Sequence, residues 1–128
     1  MFGNIMLAEQ INMNQGNSVF LEKPGAVFSA LAFPAYISMD ALLTLNGFEV
    51  SKEYNLKVIL SRNTDSQVLV QGNFFIEDEV NIRATTSTNV INLRKVTILE
   101  EGVQQLTVLI DDEEVAKATF DVIQDKLD

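Results

Sequence analysis

Regular alternation of side chains over residues 54–60 constrains the fold more than any other feature of this sequence. Its apolar positions recur at every second residue, which is the period of a β-strand with one buried face. A polar, turn-forming segment follows at residues 62–67, and residues 68–76 then form a second strand-like run. Because so short a connection cannot make a parallel crossover, we predict that the two runs form an antiparallel hairpin. The alternating apolar residues are Tyr54, Leu56, Val58 and Leu60.

Further strands are predicted where β-branched and aromatic residues lie between turn signals. Lys23-Pro24-Gly25-Ala26 is predicted to be a type II turn, because proline presets φ at its second position and glycine accepts a positive φ at its third. Asn46-Gly47 is another turn signal. The predicted strands cover residues 5–11, 26–33, 36–45 and 83–99, and the last segment forms either one long bent strand or two short ones.

The C-terminal region predicts a second hairpin. Residues 105–110 alternate like a strand, and a return strand over 115–122 would place Phe120 at the centre of its apolar face. A helix over residues 113–127 is the alternative, because apolar residues from Ala116 to Leu127 also recur at helical spacing. The strand is favoured by its β-branched residues. In the hairpin, the inward-facing residues would be Ala116, Ala118, Phe120 and Val122.

Together these segments predict an all-β fold, a single antiparallel β-sandwich domain spanning residues 1–128. We expect about seven to nine strands in an immunoglobulin-like or related topology. A β-barrel and a sandwich with a short C-terminal helix are the alternatives. The hydrophobic fraction of 47% is typical of a folded chain.

The composition argues against most catalytic chemistry. The chain contains no histidine, cysteine or tryptophan. It therefore lacks the commonest general base, a thiolate nucleophile and the nitrogen and sulfur ligands of most zinc, copper and iron sites. Ser29, Ser38 and Ser61 have no histidine to activate them. We expect no enzymatic activity and no cofactor.

The net charge of −9 restricts the partners of this chain. Nucleic-acid binding depends on clustered lysine and arginine side chains, and anionic membranes attract the same residues. We therefore expect neither nucleic acid nor a membrane as a partner. No basic segment precedes the first apolar run, and no apolar run reaches the length of a membrane-spanning helix. We expect a cytoplasmic protein or a particle assembled in the cytoplasm.

Acidic clusters supply the candidate metal ligands. Asp111, Asp112, Glu113 and Glu114 are consecutive and could offer oxygen ligands to calcium. Their spacing is not that of an EF-hand loop, so a solvated hairpin tip is the simpler interpretation. A second acidic loop at residues 77–79 could share an ion with the first if the two loops lie at the same end of the sandwich.

The aromatic residues favour packing over carbohydrate recognition. Tyr36 and Tyr54 lie in strand-like segments, where we expect core or sheet packing, and no tryptophan is available as a sugar-binding platform. Most of the eight phenylalanines are expected in the core, with a minority left for an interface. Those expected chiefly in the core include Phe28, Phe33, Phe74, Phe75 and Phe120.

The order of these segments resembles that of small, uncharacterised β-sandwich proteins of bacterial and bacteriophage genomes. The features that carry the resemblance are the apolar run ending at Phe33-Pro34, the strand at residues 54–60 with its polar turn, and the hairpin at residues 102–122. The resemblance implies a fold and no activity. Our first hypothesis is a non-enzymatic protein-interaction or assembly module with a protein partner or self-association. The alternative is a domain that binds a small ligand, a carbohydrate or calcium.

Overall fold

The computed structural model describes residues 1–13, 19–25, 27–49, 51–62, 65–75 and 86–125, which form nine β-strands and no helix. The strands are β1 (Phe2–Met13), β2 (Val19–Pro24), β3 (Val27–Ala30), β4 (Ala35–Asn46), β5 (Tyr54–Ser61), β6 (Ser66–Phe74), β7 (Thr86–Ile98), β8 (Gly102–Ile110) and β9 (Glu113–Gln124).

The strands form two sheets, which confirms the predicted β-sandwich and excludes the barrel for the described residues. Sheet A has the order β2-β1-β4-β7, and sheet B has the order β3-β9-β8-β5-β6. Pairing of β4 with β7 in one sheet, and of β5, β8 and β9 in the other, matches the B–E and C–F–G pairings of immunoglobulin-like sandwiches. The predicted hairpin of β5 and β6 is antiparallel, as expected.

The passage from β2 to β3 differs from the predicted type II turn. Gly25 does not have the positive φ that such a turn requires at its third residue. Its amide donates a hydrogen bond to the carbonyl of Leu7 (3.1 Å). The chain crosses here from sheet A to sheet B instead of folding back on itself. The strand beyond, β3, then pairs in parallel with β9, whereas the other described pairs are antiparallel.

The hydrophobic core lies between the two sheets and contains the predicted inner face of the C-terminal hairpin. Phe120 is 1% exposed, and its ring meets that of Phe28 edge to face at 5.7 Å between centroids. Tyr54 is also buried, as predicted. The inner-face residues Ala116, Phe120 and Val122 are buried, and Ala118 packs against the same core.

The C-terminal segment is a strand through Gln124, so the helix alternative is wrong for the described part of residues 113–127. A β-bulge between Val108 and Leu109 leaves Val115 as the extra residue of β9. Val115 and Ala116 are therefore buried side by side, although alternation would expose one of them. Pairing of β9 with β8 therefore decides the structure of this segment, although its apolar residues also recur at helical spacing.

Residues 83–99 contain one long strand, β7, from Thr86 onward; residues 83–85 lie outside the described residues. The predicted bend is a bulge where the register with β4 shifts between Ile37 and Met39, and Lys95 takes a φ of 53° there. Gly47, with a φ of 77°, ends β4 at the predicted Asn46-Gly47 turn. Strand β7 is thus bent within its length by a bulge, whereas β4 ends at a glycine turn.

Candidate functional site

The acidic cluster occupies the tip of the β8–β9 hairpin. Asp111 and Asp112 form its two-residue connection, with φ values of 51° and 66°. Positive φ at both positions is typical of the type I′ turn, whose twist matches that of the flanking strands. All four acidic residues of the cluster are exposed.

Each charged side chain with a described contact in this cluster has a different partner. The Asp111 carboxylate accepts a hydrogen bond from the backbone amide of Asn55 at 2.8 Å. Lys57 Nζ lies 3.2 Å from the carboxylate of Asp112. Three acidic side chains do not converge into a cation site anywhere in the described part of the chain. The hairpin tip is therefore a turn that is stabilised by its contacts with Asn55 and Lys57. The acidic loop at residues 77–79 lies outside the described residues.

An ion pair between a buried carboxylate and an exposed guanidinium lies in sheet A, and the sequence patterns did not single it out. Asp40 is 2% exposed, and one of its oxygens accepts a hydrogen bond from the Ile11 amide at 2.9 Å. The other lies 2.9 Å from Arg94 Nη1. Backbone pairing of β1 with β4 ends at Ala8 and Asp40. The Ile11 amide therefore has no backbone acceptor on β4, and it donates to the Asp40 carboxylate instead. The sequence signal that could have identified this ion pair is a single aspartate within the apolar run of residues 39–45.

Where β1 leaves β4, a groove of about 400 Å³ opens beside the crossover at Gly25. Tyr36, predicted in the core or packed on a sheet, lines this groove and is 72% exposed. That prediction was wrong because Tyr36 lies on the outer face of β4, where none of the described strands covers it. Polar residues share the groove, and its lining includes Glu9, Phe28, Ser29 and Ser38.

The candidate phenylalanines divide between core and surface. Phe120 is buried, and Phe28, Phe33 and Phe74 pack partly buried against the core, as expected. Phe75 is 57% exposed just beyond the end of β6, so its assignment to the core was wrong. Strand β6 ends at Phe74, and no described strand covers the Phe75 ring.

Part of the outer face of sheet A, away from the Asp40–Arg94 pair, is uncharged across three adjacent strands. Registers place Met6, Leu42 and Val90 in one row across β1, β4 and β7. Their sequence neighbours on the same strands, such as Leu7 and Leu43, are buried in the core, so this row points outward. The uncharged face, as we name this surface, consists of Phe2, Asn4, Met6, Leu42, Thr44, Asn46, Thr88, Val90 and Asn92.

The same side of the molecule has two uncharged strand edges that no described strand covers. Among the described strands, β6 and β7 end their sheets and lie near each other across the sandwich. No Asp, Glu, Lys or Arg occurs in β6 or in residues 86–93 of β7. Such edges present unpaired backbone groups that can pair with another strand.

The opposite edges are protected. Strand β2 has six residues, including the exposed Glu22 and Pro24, and β3 has four residues. Short length, charge and proline are the usual devices by which natural sheets avoid unwanted pairing. These two guarded strands cover only residues 8–13 of β1 and residues 121–124 of β9.

Comparison with known proteins identifies the fold alone. No protein-family model and no curated protein sequence matches the chain. Among solved structures, it is similar to a β-glucosidase from Listeria innocua in complex with isofagomine, with a TM-score of 0.53 and 8% identity. The same enzyme in complex with glucose gives a TM-score of 0.51 and 9% identity.

In both comparisons the likeness covers 98% of this chain but a small part of the enzyme, 16% and 17% of its length. At such identities the likeness supports the sandwich fold and nothing about activity. Separately, the described residues include no helix long and apolar enough to cross a membrane.

Proposed function

We propose that this protein is a non-enzymatic interaction or assembly module that binds protein through its uncharged side. The observation that carries the proposal is the distribution of charge. Twenty-seven of the 128 residues are charged, yet the uncharged face and the adjoining edges, β6 and residues 86–93 of β7, contain none of them. Protein interfaces are depleted of charged residues at their centres, so this side has the composition of an interface.

The chemistry of the chain supports a role other than catalysis. With no histidine or cysteine in the sequence, activation of a serine or binding of a catalytic zinc would need unusual ligands. Ser38 Oγ already accepts a hydrogen bond from the Lys95 amide at 3.2 Å. The net charge of −9 disfavours nucleic acids and anionic membranes as partners, and we propose that the protein acts in the cytoplasm or in a particle assembled there.

Affinity capture with paired surface variants tests this proposal. The tagged chain is purified from cells that naturally encode it, together with Met6→Lys on the uncharged face and Val103→Lys on the outer face of sheet B. Both positions are exposed, so both variants should fold. We expect a defined set of protein partners that Met6→Lys loses and Val103→Lys retains. Partners that survive Met6→Lys unchanged would contradict the proposed surface.

A second candidate function is binding of a small ligand or carbohydrate in the groove beside Gly25. It is favoured by the exposed Tyr36 ring, since sugar sites commonly combine an aromatic platform with polar groups, and Glu9 and Ser38 line the same groove. Titration with a panel of oligosaccharides, followed by NMR, tests it. Shifts clustered around Tyr36 and lost in Tyr36→Ala would favour this candidate over the interaction module.

A further inference from the structure

We propose that Asn46 is a modification site at which this chain loses a side-chain amide without an enzyme, so that the uncharged face gains a carboxylate with time. Asn46 precedes Gly47, and no other asparagine in the sequence precedes a glycine. Glycine has no side chain that shields its backbone nitrogen, so this nitrogen attacks a preceding asparagine more easily than that of any other residue. The site rests on the sequence and on the geometry of β4, and its effect on binding rests on the proposed interaction function.

The reaction requires only water. The backbone nitrogen of Gly47 forms a bond to Cγ of Asn46, the bond from Cγ to Nδ2 breaks, and ammonia leaves with the proton that the backbone nitrogen has lost. Water then opens the resulting five-membered ring at one of its two carbonyl groups. One opening gives aspartate at position 46, and the other gives isoaspartate, in which the main chain runs through the former side chain. Both products carry one negative charge that asparagine lacks.

Asn46 lies where three strands end together. It forms the last described pair of β4 with each neighbour, opposite Phe2 of β1 and opposite Thr86 of β7. Phe2 and Thr86 are in turn the residues at which β1 and the described part of β7 begin. Ring closure requires Asn46 to leave the extended conformation of a strand, and the end of a strand opens at a lower free energy than its middle. The position of Asn46 therefore favours the reaction.

Gly47 lies just beyond this row of paired residues. It is exposed, and its φ of 77° turns the chain away from the direction of β4. Solvent can therefore reach the nitrogen that must lose a proton and the ring that water must open.

Two other asparagines of the uncharged face serve as internal controls. Asn4 and Asn92 precede Ile5 and Leu93, whose branched side chains hinder attack by the backbone nitrogen. Both also lie within paired stretches of their strands. We expect them to keep their amides under conditions in which Asn46 loses its own.

A carboxylate at position 46 would change the surface that we propose to bind protein. Asn46 is half-buried on the uncharged face, which contains no other charge. Burial of an unpaired charge against a partner is unfavourable, so the modified chain should bind its partners more weakly. Since the lost ammonia is not replaced, this change runs in one direction and marks older molecules.

Peptide mapping by mass spectrometry tests the site in the full chain. After incubation, the wild-type peptide that contains residues 46 and 47 should gain the mass difference between an amide and a carboxyl group. The gain should be faster at mildly alkaline than at neutral pH, because the attacking nitrogen must lose its proton. Asn46→Gln is the matched control and should keep its mass, since its longer side chain would have to close a larger ring. An unchanged wild-type peptide, or an equal gain at Asn4 or Asn92, would overturn the proposal.

Affinity capture with Asn46→Asp, which carries the charge of the product, tests the effect on binding. It should retain at most about a tenth of the partner protein that Asn46→Gln retains. Equal retention by the two variants would overturn the proposed effect of the charge. A mass gain at position 46 in a wild-type chain that captures no partner would reject the interaction function and support the modification site.

Discussion

Phe120 shows how a single residue supports the sandwich. It lies on β9 with 1% of its surface exposed, and its ring packs against Phe28 from the neighbouring strand β3. We predict that Phe120→Ala lowers the free energy of unfolding by about 3–5 kcal/mol, through lost burial and a residual cavity. Denaturant titration measures this change. The exposed Val103→Ala serves as control and should change stability by less than about 0.5 kcal/mol. A loss below about 1 kcal/mol in Phe120→Ala would place the ring outside the core.

Asp40 is the second residue on which local structure depends. Its carboxylate binds the Ile11 amide and the Arg94 guanidinium where β1 leaves β4. We predict that Asp40→Ala lowers the free energy of unfolding by about 1.5–3 kcal/mol, the usual loss for a hydrogen bond to a charged group. Asp40→Asn keeps an acceptor for the Ile11 amide and should lose less. Equal losses in the two variants would show that the amide contact contributes nothing.

Residue-level prediction from the sequence succeeded where alternation alone decides which face is buried. Phe120 and Tyr54 were correctly placed in the core, because each lies in a strand whose other apolar residues recur at every second position. Tyr36 was placed wrongly and Asp40 was not singled out, because the surroundings of both depend on β1 separating from β4, a contact between distant parts of the chain. An outward-facing residue is therefore exposed at position 36 and buried at position 40.

At the scale of the element, the β8–β9 hairpin has a turn whose geometry its residues do not favour. Asp111 and Asp112 both have positive φ, a conformation that Asn-Gly adopts more readily. We predict that Asp111→Asn/Asp112→Gly raises the free energy of unfolding by up to about 1 kcal/mol. The exposed ion pair with Lys57 that it removes contributes no more than about 1 kcal/mol. A thermal melt with Lys57→Gln as control checks both statements, and a clear loss of stability in the turn variant would contradict them.

The same hairpin tip tests the calcium hypothesis. If Asp111, Asp112, Glu113 and Glu114 only form a solvated turn, millimolar calcium should raise the melting temperature no more than magnesium does. A specific site would behave differently, because a ligand at about 100 times its dissociation constant adds roughly 2.7 kcal/mol to the folded state. We expect no difference between the ions. A calcium-specific rise that disappears in Asp111→Asn/Asp112→Asn would establish the ligand-binding alternative.

The elements themselves were largely predictable, and the connections less so. Period-two patterns located the cores of β5, β8 and β9, and β-branched residues correctly favoured a strand over a helix at the C-terminus. Pro24-Gly25 has the composition of a tight turn, yet it carries the chain between sheets. Local propensity cannot distinguish these outcomes, since the difference depends on where β3 finds a partner.

At the scale of the whole molecule, the candidate surface follows from strand order. The sequence shows that β6 and residues 86–93 of β7 contain no charged residue. It does not show which strands lie at the ends of the two sheets. Only the order β2-β1-β4-β7 and β3-β9-β8-β5-β6 reveals that β6 and β7 share one side. That order depends on pairing between segments far apart in the chain, which is why the sequence analysis proposed an interaction module without locating its surface.

Hydrogen–deuterium exchange of the chain alone and together with a captured protein partner tests most directly the claim that the uncharged side binds protein. Amides within residues 86–92 of β7 should exchange more slowly when the partner is present, because binding protects backbone groups from solvent. Amides of the guarded strands β2 and β3 should not change, and neither should the hairpin tip at Asp111. Exchange in β7 that is independent of the partner, or protection that develops on β2 and β3 instead, would contradict the account.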